Sequence, residues 1–259
     1  SIKYNHELGR DITIEELQRN YDAVYLAFGV GLARQLDIPG EDLFGVVDAI
    51  KFIYDLRNNE YAKIAVGDKV AVIGMGMTAI DAATQAKRLG ASEVHLIYRR
   101  THDEMPCTEK ELNIAKLDGC NIIWLAAPKE VLGDGENVKQ LVCDVMNFGE
   151  PDASGRRSPI ATGETFTLDV DMVIKAAGQM PFSELVNTEN LQNSNGKITV
   201  QDKSKASLNN VFAGGDCVNG GREVVDAVQA GKDGAAAILK VIIGPDYTIE
   251  SELKPKFNN

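Results

Sequence analysis

The chain has 259 residues, 44% of them hydrophobic and 25% charged, with a net charge of −11, enough for one large or two small globular domains. That acidity argues against a nucleic-acid partner, no apolar run approaches the roughly 20 residues needed to cross a bilayer, and nothing at the start reads as a signal peptide. The four cysteines (Cys107, Cys120, Cys143, Cys217) are scattered without a C-x-x-C pair, so they suit neither a metal cluster nor a dithiol centre and read as buried thiols of a cytoplasmic protein.

In chain order, Thr13 is placed to cap a short helix over residues 14–19. Residues 22–27 (DAVYLA) form a buried strand that ends in Phe28-Gly29-Val30-Gly31. Leu36 to Asp42 is a turn-rich connector. Residues 46–56 are expected to form an amphipathic helix leading to Lys69.

The next stretch, residues 69–100, reads KVAVIGMGMTAIDAATQAKRLGASEVHLIYRR. Val70 to Ile73 is an apolar run of the kind buried in a parallel sheet. Gly74-Met75-Gly76-Met77-Thr78-Ala79 follows as G-x-G-x-x-A. Ile80, Ala83, Ala86 and Leu89 then recur at helical spacing until Gly90, and a second strand runs from Val94 to Tyr98. With strand, turn, helix and strand in succession, the glycines have a dinucleotide-binding reading: Gly74 for the sharp turn, Gly76 for close approach to a pyrophosphate, Ala79 for tight helix packing. Unpaired N–H groups at the helix start would hold the phosphates. An NAD site places an acid at the end of the second strand to bind the ribose 2′-OH. Here Arg99 and Arg100 stand there, suited to charge-assisted bonds to a 2′-phosphate. One such bond, at about 1.5–3 kcal/mol, favours NADPH over NADH by about 10- to 100-fold.

Farther on, Thr108 with Glu111 reads as a capping box for a helix to Leu117, and residues 121–125 as a strand. Asp134-Gly135 signals a hairpin. Residues 150–163 read as a loop carrying Arg156 and Arg157 as solvated charges. Residues 171–178 (DMVIKAAG) form another buried strand, 184–210 a polar connection, and 210–216 (NVFAGGD) a last strand. A long helix from Glu223 to Ile242 is expected to bury Val225, Val228 and residues 235–238, and the tail after Pro245 to be loosely held. Of the histidines, His6 and His95 read as structural, and His102 as a minor candidate for phosphate contact. No Ser-His-Asp set, zinc site or paired carboxylates stand out, so no catalytic side chain is assigned; hydride transfer between two cofactors needs positioning more than side-chain chemistry.

Taken together, YDAVYLAFG with IPGED, VIGMGMTAIDAA with YRR and EMPCTEKE, GEPDASGRRSP, DMVIKAAGQMP, and VFAGGDCVNGGREVVDAVQAGKDGAAAI resemble the glutamate synthase small chain and dihydropyrimidine dehydrogenase electron-input family. The resemblance covers most of the chain from Gly9 to Ile242. It implies an α/β protein in which a Rossmann-like NAD(P)-binding domain, a parallel sheet with helices plus a β-hairpin, is inserted in a partial FAD-binding domain. The expected boundaries are 1–62 for a remnant of the FAD domain and a linker helix, 63–183 for the NAD(P)H domain and 184–259 for the C-terminal part of the FAD domain. Carried over by position, Gly74, Gly76, Met77 and Thr78 would cradle the NADPH pyrophosphate, and Arg99 and Arg100 the 2′-phosphate. Gly178 and Gln179 would lie near the nicotinamide. Asp216 would bind the flavin ribityl chain, with Gly215 and Val225 also in the FAD site and the start of the Glu223 helix facing the flavin pyrimidine edge.

In such enzymes NADPH reduces FAD, and electrons pass through iron–sulfur clusters to a partner subunit or domain. The family's cysteine-rich start and the first G-x-G-x-x-G unit, which holds the ADP half of FAD, are not in this sequence, so iron–sulfur belongs to a missing N-terminal region or a partner. The chain reads as a truncated form whose flavin-domain strands lack neighbours and leave an exposed sheet edge. Two functions stay open: an NADPH-dependent flavoprotein oxidoreductase module of the glutamate synthase small chain or dihydropyrimidine dehydrogenase type, or a fragment that binds NADP(H) without flavin or turnover.

Overall fold

The computed structural model describes residues 1–31, 33–151 and 157–245. In chain order the first elements are α1 (Ile14–Asn20), β1 (Val24–Leu26), β2 (Val46–Asp48), α2 (Ala49–Asn58) and β3 (Lys69–Ile73). Next come α3 (Met77–Arg88), β4 (Glu93–Tyr98), α4 (Glu109–Leu117), β5 (Asn121–Trp124), β6 (Ala126–Asp134), β7 (Asn137–Pro151) and β8 (Arg157–Asp169). The last are β9 (Met172–Lys175), α5 (Ser183–Thr188), β10 (Asn193–Ser194), β11 (Lys197–Ile198), β12 (Val211–Ala213), α6 (Asp216–Asn219) and α7 (Val224–Ile242).

The chain divides into two compact units, one of residues 1–31 with 179–259 and the other of residues 32–178. The second unit is built on a five-stranded sheet in the order β2-β9-β3-β4-β5, parallel throughout. Strand β3 sits in the middle, and the two-residue side-chain period of a strand sorts its apolar run onto both faces. Val70 and Val72 point with Val94, Leu96 and Ile174 into a core shared with α2, α3 and α4. Ala71 and Ile73 point the other way with Ile97 and Val173, against Val131, Val138, Leu141 and Cys143 of a three-stranded antiparallel sheet, β6-β7-β8. A strand covered on both faces has no polar side to show, which is why its sequence is continuously apolar.

Several local expectations change on this scaffold. Residues 46–48 are not the start of a helix: Val46, Val47 and Asp48 pair with Val173, Ile174 and Lys175. The helix begins after them because Asp48 Oδ1 accepts the Ile50 and Lys51 N–H groups at 2.8 and 3.1 Å. The expected 62/63 boundary moves to 31/32 for the same reason, since β2 completes the parallel sheet and α2 packs on α3. Residues 157–163 belong to β8 rather than to a loop. Arg157 is not simply solvated: its guanidinium lies 5.3 Å from the Phe148 ring centroid and Nε donates to Gly149 O at 3.0 Å. Arg156 and the tail from residue 246 lie outside the described residues.

The first unit is smaller in regular structure. β1 and β12 form a parallel two-stranded sheet, Val24 opposite Val211 and Leu26 opposite Ala213. Its core joins Ile14, Val24, Leu26, Val186, Leu191, Ile198, Val211 and Cys217. Residues 184–210 therefore do more than connect. They supply α5, the β10-β11 hairpin and three of those core side chains. Thr13 caps α1 as expected, accepting from Glu16 N at 3.2 Å while Glu16 Oε2 accepts from Thr13 N at 2.9 Å. The valines expected to be buried on α7 are not: Val225 is 68% and Val228 53% exposed. Tyr25 explains how α7 is held instead. Its ring fills the space beside Gly234, and its hydroxyl donates to Ala230 O at 2.8 Å, so contact is concentrated in the middle of the helix. β1 has β12 as its sole strand partner among the described residues.

Candidate nucleotide-binding site

The order β2-β9-β3-β4-β5 reverses direction at β3, with β4 on one side and β9 on the other. In open parallel sheets the crevice at such a reversal, beyond the carboxyl ends of the strands, is where ligands bind. Gly74 to Gly76 lie there, between the end of β3 and α3.

The two glycines are required for different reasons. Gly74 has φ +136°, and a Cβ on it would come within 2.4 Å of Ala176 O, so the turn and the neighbouring strand both exclude a side chain. Gly74 N donates to Ile97 O at 3.0 Å, tying the turn to β4. Gly76 has an ordinary φ of −83° as the N-cap of α3, and a Cβ there would meet nothing nearer than Pro106 Cγ at 3.9 Å. Neither backbone nor packing calls for glycine at this position. What the missing Cβ leaves is open access to the first turn of α3, where the Met77 and Thr78 N–H groups have no intrahelical acceptor and no side chain caps them. Ala79, Ala82, Ala83 and Ala86 are fully buried, and their small size lets α3 lie close on the sheet.

Pairing of Ile73 with Ile97 sets Tyr98-Arg99-Arg100 beside the glycine turn at the end of the next strand. Arg99 is exposed and Arg100 half-buried, and neither forms an ion pair among the described residues. Their backbone is anchored, since Leu125 N donates to Arg100 O at 3.1 Å and Thr101 N to Glu104 Oε2 at 3.1 Å. Tyr98 and His102 each meet the Trp124 ring edge-on, at 6.1 and 5.9 Å. His102 is engaged with Glu109, Nε2 to Oε1 at 2.6 Å, which accounts for it without a phosphate.

The remaining expected positions fall in separate surroundings. Gly178 has φ +91°, and its carbonyl accepts from Arg34 N at 2.8 Å within the second unit. Gln179 Nε2 donates to Gly31 O at 2.8 Å within the first unit. Gly215 has φ +74° and ψ −152°, a region open essentially to glycine alone. It leads into Asp216, whose Oδ1 accepts from Arg222 N at 3.2 Å. At the start of α7 the Glu223 N–H already bonds to Asp226 Oδ2 at 3.3 Å, so an acid occupies the end expected to face a flavin. Val225, two residues after Glu223, is exposed.

One pairing went unnoticed in the sequence. Lys175, at the end of β9, is buried and donates to Gln35 Oε1 and Glu41 Oε1, both at 2.8 Å. The lysine in an otherwise apolar strand was the available signal. The four cysteines are all free and buried. Burial pushes the Cys120 thiol up to about 11 and Cys143 to about 12, and raises Cys107 and Cys217 as well. None is set up as a reactive thiolate.

The family model for pyridine nucleotide-disulphide oxidoreductases matches residues 5–231. The β subunit of an NADP(+)-dependent formate dehydrogenase from Moorella thermoacetica is 39% identical over 242 residues, which cover 92% of this chain and 34% of that protein. A putative NADPH glutamate synthase small chain from Cereibacter sphaeroides is 33% identical over 253 residues, 93% of this chain and 61% of that protein. The chain thus spans from about a third to three fifths of the length of these relatives. Among solved structures, Mycobacterium tuberculosis FprA superposes with a TM-score of 0.75 at 21% identity, covering 92% of this chain and 67% of that one. That likeness speaks to the fold, which is Rossmann-like α/β. Matched over most of its length, the chain belongs to the pyridine nucleotide-disulphide oxidoreductase family.

Proposed function

We propose that this chain is the NADPH-binding module of a flavoprotein oxidoreductase, of the kind in which hydride from NADPH reduces FAD and electrons move on to iron–sulfur centres of a partner subunit or domain. The observation that carries the reading is the pairing, at one sheet reversal, of an uncapped helix start behind a glycine that packing does not require with two arginines free of ion pairs among the described residues. The first suits a pyrophosphate, and the second a 2′-phosphate. Gly74, Gly76, Met77 and Thr78 would hold the pyrophosphate, and Arg99 and Arg100 the 2′-phosphate. The names of the relatives, an NADP(+)-dependent dehydrogenase subunit and an NADPH glutamate synthase small chain, support the choice of NADPH and of a partner subunit.

For FAD the residues fit in part. The glycine-only backbone of Gly215 next to Asp216 suits a closing contact on the ribityl chain. Among the described residues of the first unit no glycine turn like that of Gly74–Gly76 joins a strand to a long helix. Flavin, when bound, supplies the hydride acceptor. The residues of this chain supply position and hydrogen bonds, and no side chain is assigned as catalytic. The open edge of β1 and the exposed valines of α7 favour a second reading, in which this chain by itself binds NADP(H) without flavin. A cytoplasmic location agrees with four free thiols; among the described residues no helix is long and apolar enough to cross a membrane.

The test is direct. Arg99→Ala/Arg100→Ala is expected to weaken NADPH binding by about 100-fold or more, two lost charge-assisted bonds at about 1.5–3 kcal/mol each, while NADH binding changes little. Equal loss for both nucleotides rules out the 2′-phosphate assignment. A visible spectrum of the purified protein separates the two readings: flavin bands bleached by NADPH support turnover, and a colourless protein that binds NADP⁺ leaves binding alone.

A further inference from the structure

Four acids stand between Thr101 and Glu111, directly after the two arginines: Asp103, Glu104, Glu109 and Glu111. Lying so near in sequence, any of them could neutralise Arg99 or Arg100, and an arginine paired internally is a poor ligand for an anion. Yet neither arginine is in an ion pair among the described residues. Three of the four carboxylates are occupied elsewhere. Glu104 Oε2 accepts from Thr101 N at 3.1 Å and Thr101 Oγ1 at 2.5 Å, and these hydrogen bonds, with a smaller contribution from the Arg100 charge, hold its carboxyl below its ordinary value. Glu111 Oε2 accepts from Thr108 N at 2.8 Å and Thr108 Oγ1 at 2.9 Å. Glu109 Oε1 meets His102 Nε2 at 2.6 Å. Asp103 is left over, 93% exposed and 3.7 Å from His102 Nδ1.

We infer that His102, with Thr101 and Thr108, sequesters the acids that follow β4 and so keeps Arg99 and Arg100 available to a 2′-phosphate, making His102 a determinant of NADPH selectivity that need not touch the nucleotide. The inference rests on the 2′-phosphate reading above. His102 is the most informative of the three. The two threonines cap local turns, as such threonines do wherever helices begin, whereas the His102–Glu109 pair joins the turn after β4 to α4 and caps nothing. The edge-on contact with Trp124 at the end of β5 fixes the ring that makes it.

The experiment is calorimetric titration of the full chain with two probes, 2′,5′-ADP, which carries the 2′-phosphate, and ADP, which does not. Neither needs flavin or turnover. His102→Ala frees Glu109 to compete for the arginines. It is expected to weaken 2′,5′-ADP binding by about two- to five-fold, the range an exposed ion pair spans, and to leave ADP unchanged. Adding Glu109→Gln in the same chain removes the competing charge and is expected to restore 2′,5′-ADP binding. Equal loss for both probes in His102→Ala means a merely structural role and overturns the inference, as does an unchanged 2′,5′-ADP affinity or a double variant without rescue. If Arg99→Ala/Arg100→Ala itself weakens both probes alike, the 2′-phosphate reading fails first. If that variant is selective and His102→Ala is silent, only the sequestration idea fails.

Discussion

Gly74 and Gly76 belong to one motif, but the structure predicts opposite consequences for replacing them with alanine. At Gly74 a Cβ would sit 2.4 Å from Ala176 O on a backbone with φ +136°. A residue forced into such a region costs about 1–3 kcal/mol, and displacing packed backbone costs a similar amount. Gly74→Ala should thus lose about 2–5 kcal/mol, or about 5–15 °C in Tm at about 2–4 °C per kcal/mol. At Gly76 the backbone is ordinary and the nearest atom is 3.9 Å away. Alanine is a poorer N-cap than glycine by several tenths of a kcal/mol or more, but it restricts the unfolded chain and regains about 0.4–1 kcal/mol. The stability of Gly76→Ala should lie within about 0.5 kcal/mol of the parent. Its nucleotide binding should not survive so well. A methyl in front of the Met77 and Thr78 N–H groups removes one or more bonds to a charged pyrophosphate, at about 1.5–3 kcal/mol each, so NADP⁺ affinity should fall by about 10-fold or more. Thermal unfolding followed by circular dichroism and NADP⁺ titration calorimetry give the two readouts separately. A folded Gly76→Ala protein that binds NADP⁺ as tightly as the parent would falsify the pyrophosphate assignment.

Two further predictions concern stability. Burial by itself raises the Glu41 carboxyl, but the hydrogen bond from Lys175 and the Leu36 and Asp37 N–H groups outweigh it and hold the group below its usual 4.5. A carboxyl depressed by folding stabilises the protein above the unfolded value and loses that contribution as pH falls through the folded one. Urea unfolding should therefore show Glu41→Gln destabilised by about 3 kcal/mol at pH 7, as for removal of one partner of a buried pair. The gap should narrow as pH drops below about 4.5, the usual carboxylate range; parallel curves down to pH 3 contradict the assignment. In α7, a Cβ at Gly234 would lie 2.1 Å from Tyr25 Cε2, so Gly234→Ala should destabilise by about 1–3 kcal/mol of overpacking despite a helix-propensity gain of about 1 kcal/mol. In a Tyr25→Ala background the clash is gone and the same change should become stabilising; the same sign in both backgrounds excludes the wedge.

The β3-α3-β4 unit was legible because each of its signals is local: an apolar run, glycines at fixed spacing and a helical period lie within consecutive residues. The misread parts depend on partners distant in sequence. Val46-Val47-Asp48 is strand because β9, far along the chain, offers an edge to pair with, and no periodicity within residues 46–56 reports that edge. α7 has an apolar pattern that looks buried, yet Val225 and Val228 are exposed because a two-stranded sheet and one tyrosine ring cover only its middle. The Lys175–Glu41 pair joins two segments 134 residues apart. Periodicity reports which face of an element is apolar, but not whether anything lies against it.

The availability of Arg99 and Arg100 shows the same division within the candidate site. Their position at the end of a strand could be read directly, but their freedom from the following acids could not, because it depends on the bonds those acids make. Thr101 and Thr108 each bond a carboxylate that follows the arginines, and His102 lies against a third. All the groups proposed to hold the nucleotide phosphates, and all those proposed to keep them free, lie between Gly74 and Trp124, in the turns and helix starts that follow β3 and β4 within one compact unit. Nucleotide affinity and flavin content should therefore vary independently. Changes at Gly76, Arg99 or His102 should alter the first at constant flavin, and changes at Gly215 or Asp216 the second at constant NADP⁺ affinity. Variants in which the two quantities fall together would mean that the nucleotide site is not self-contained.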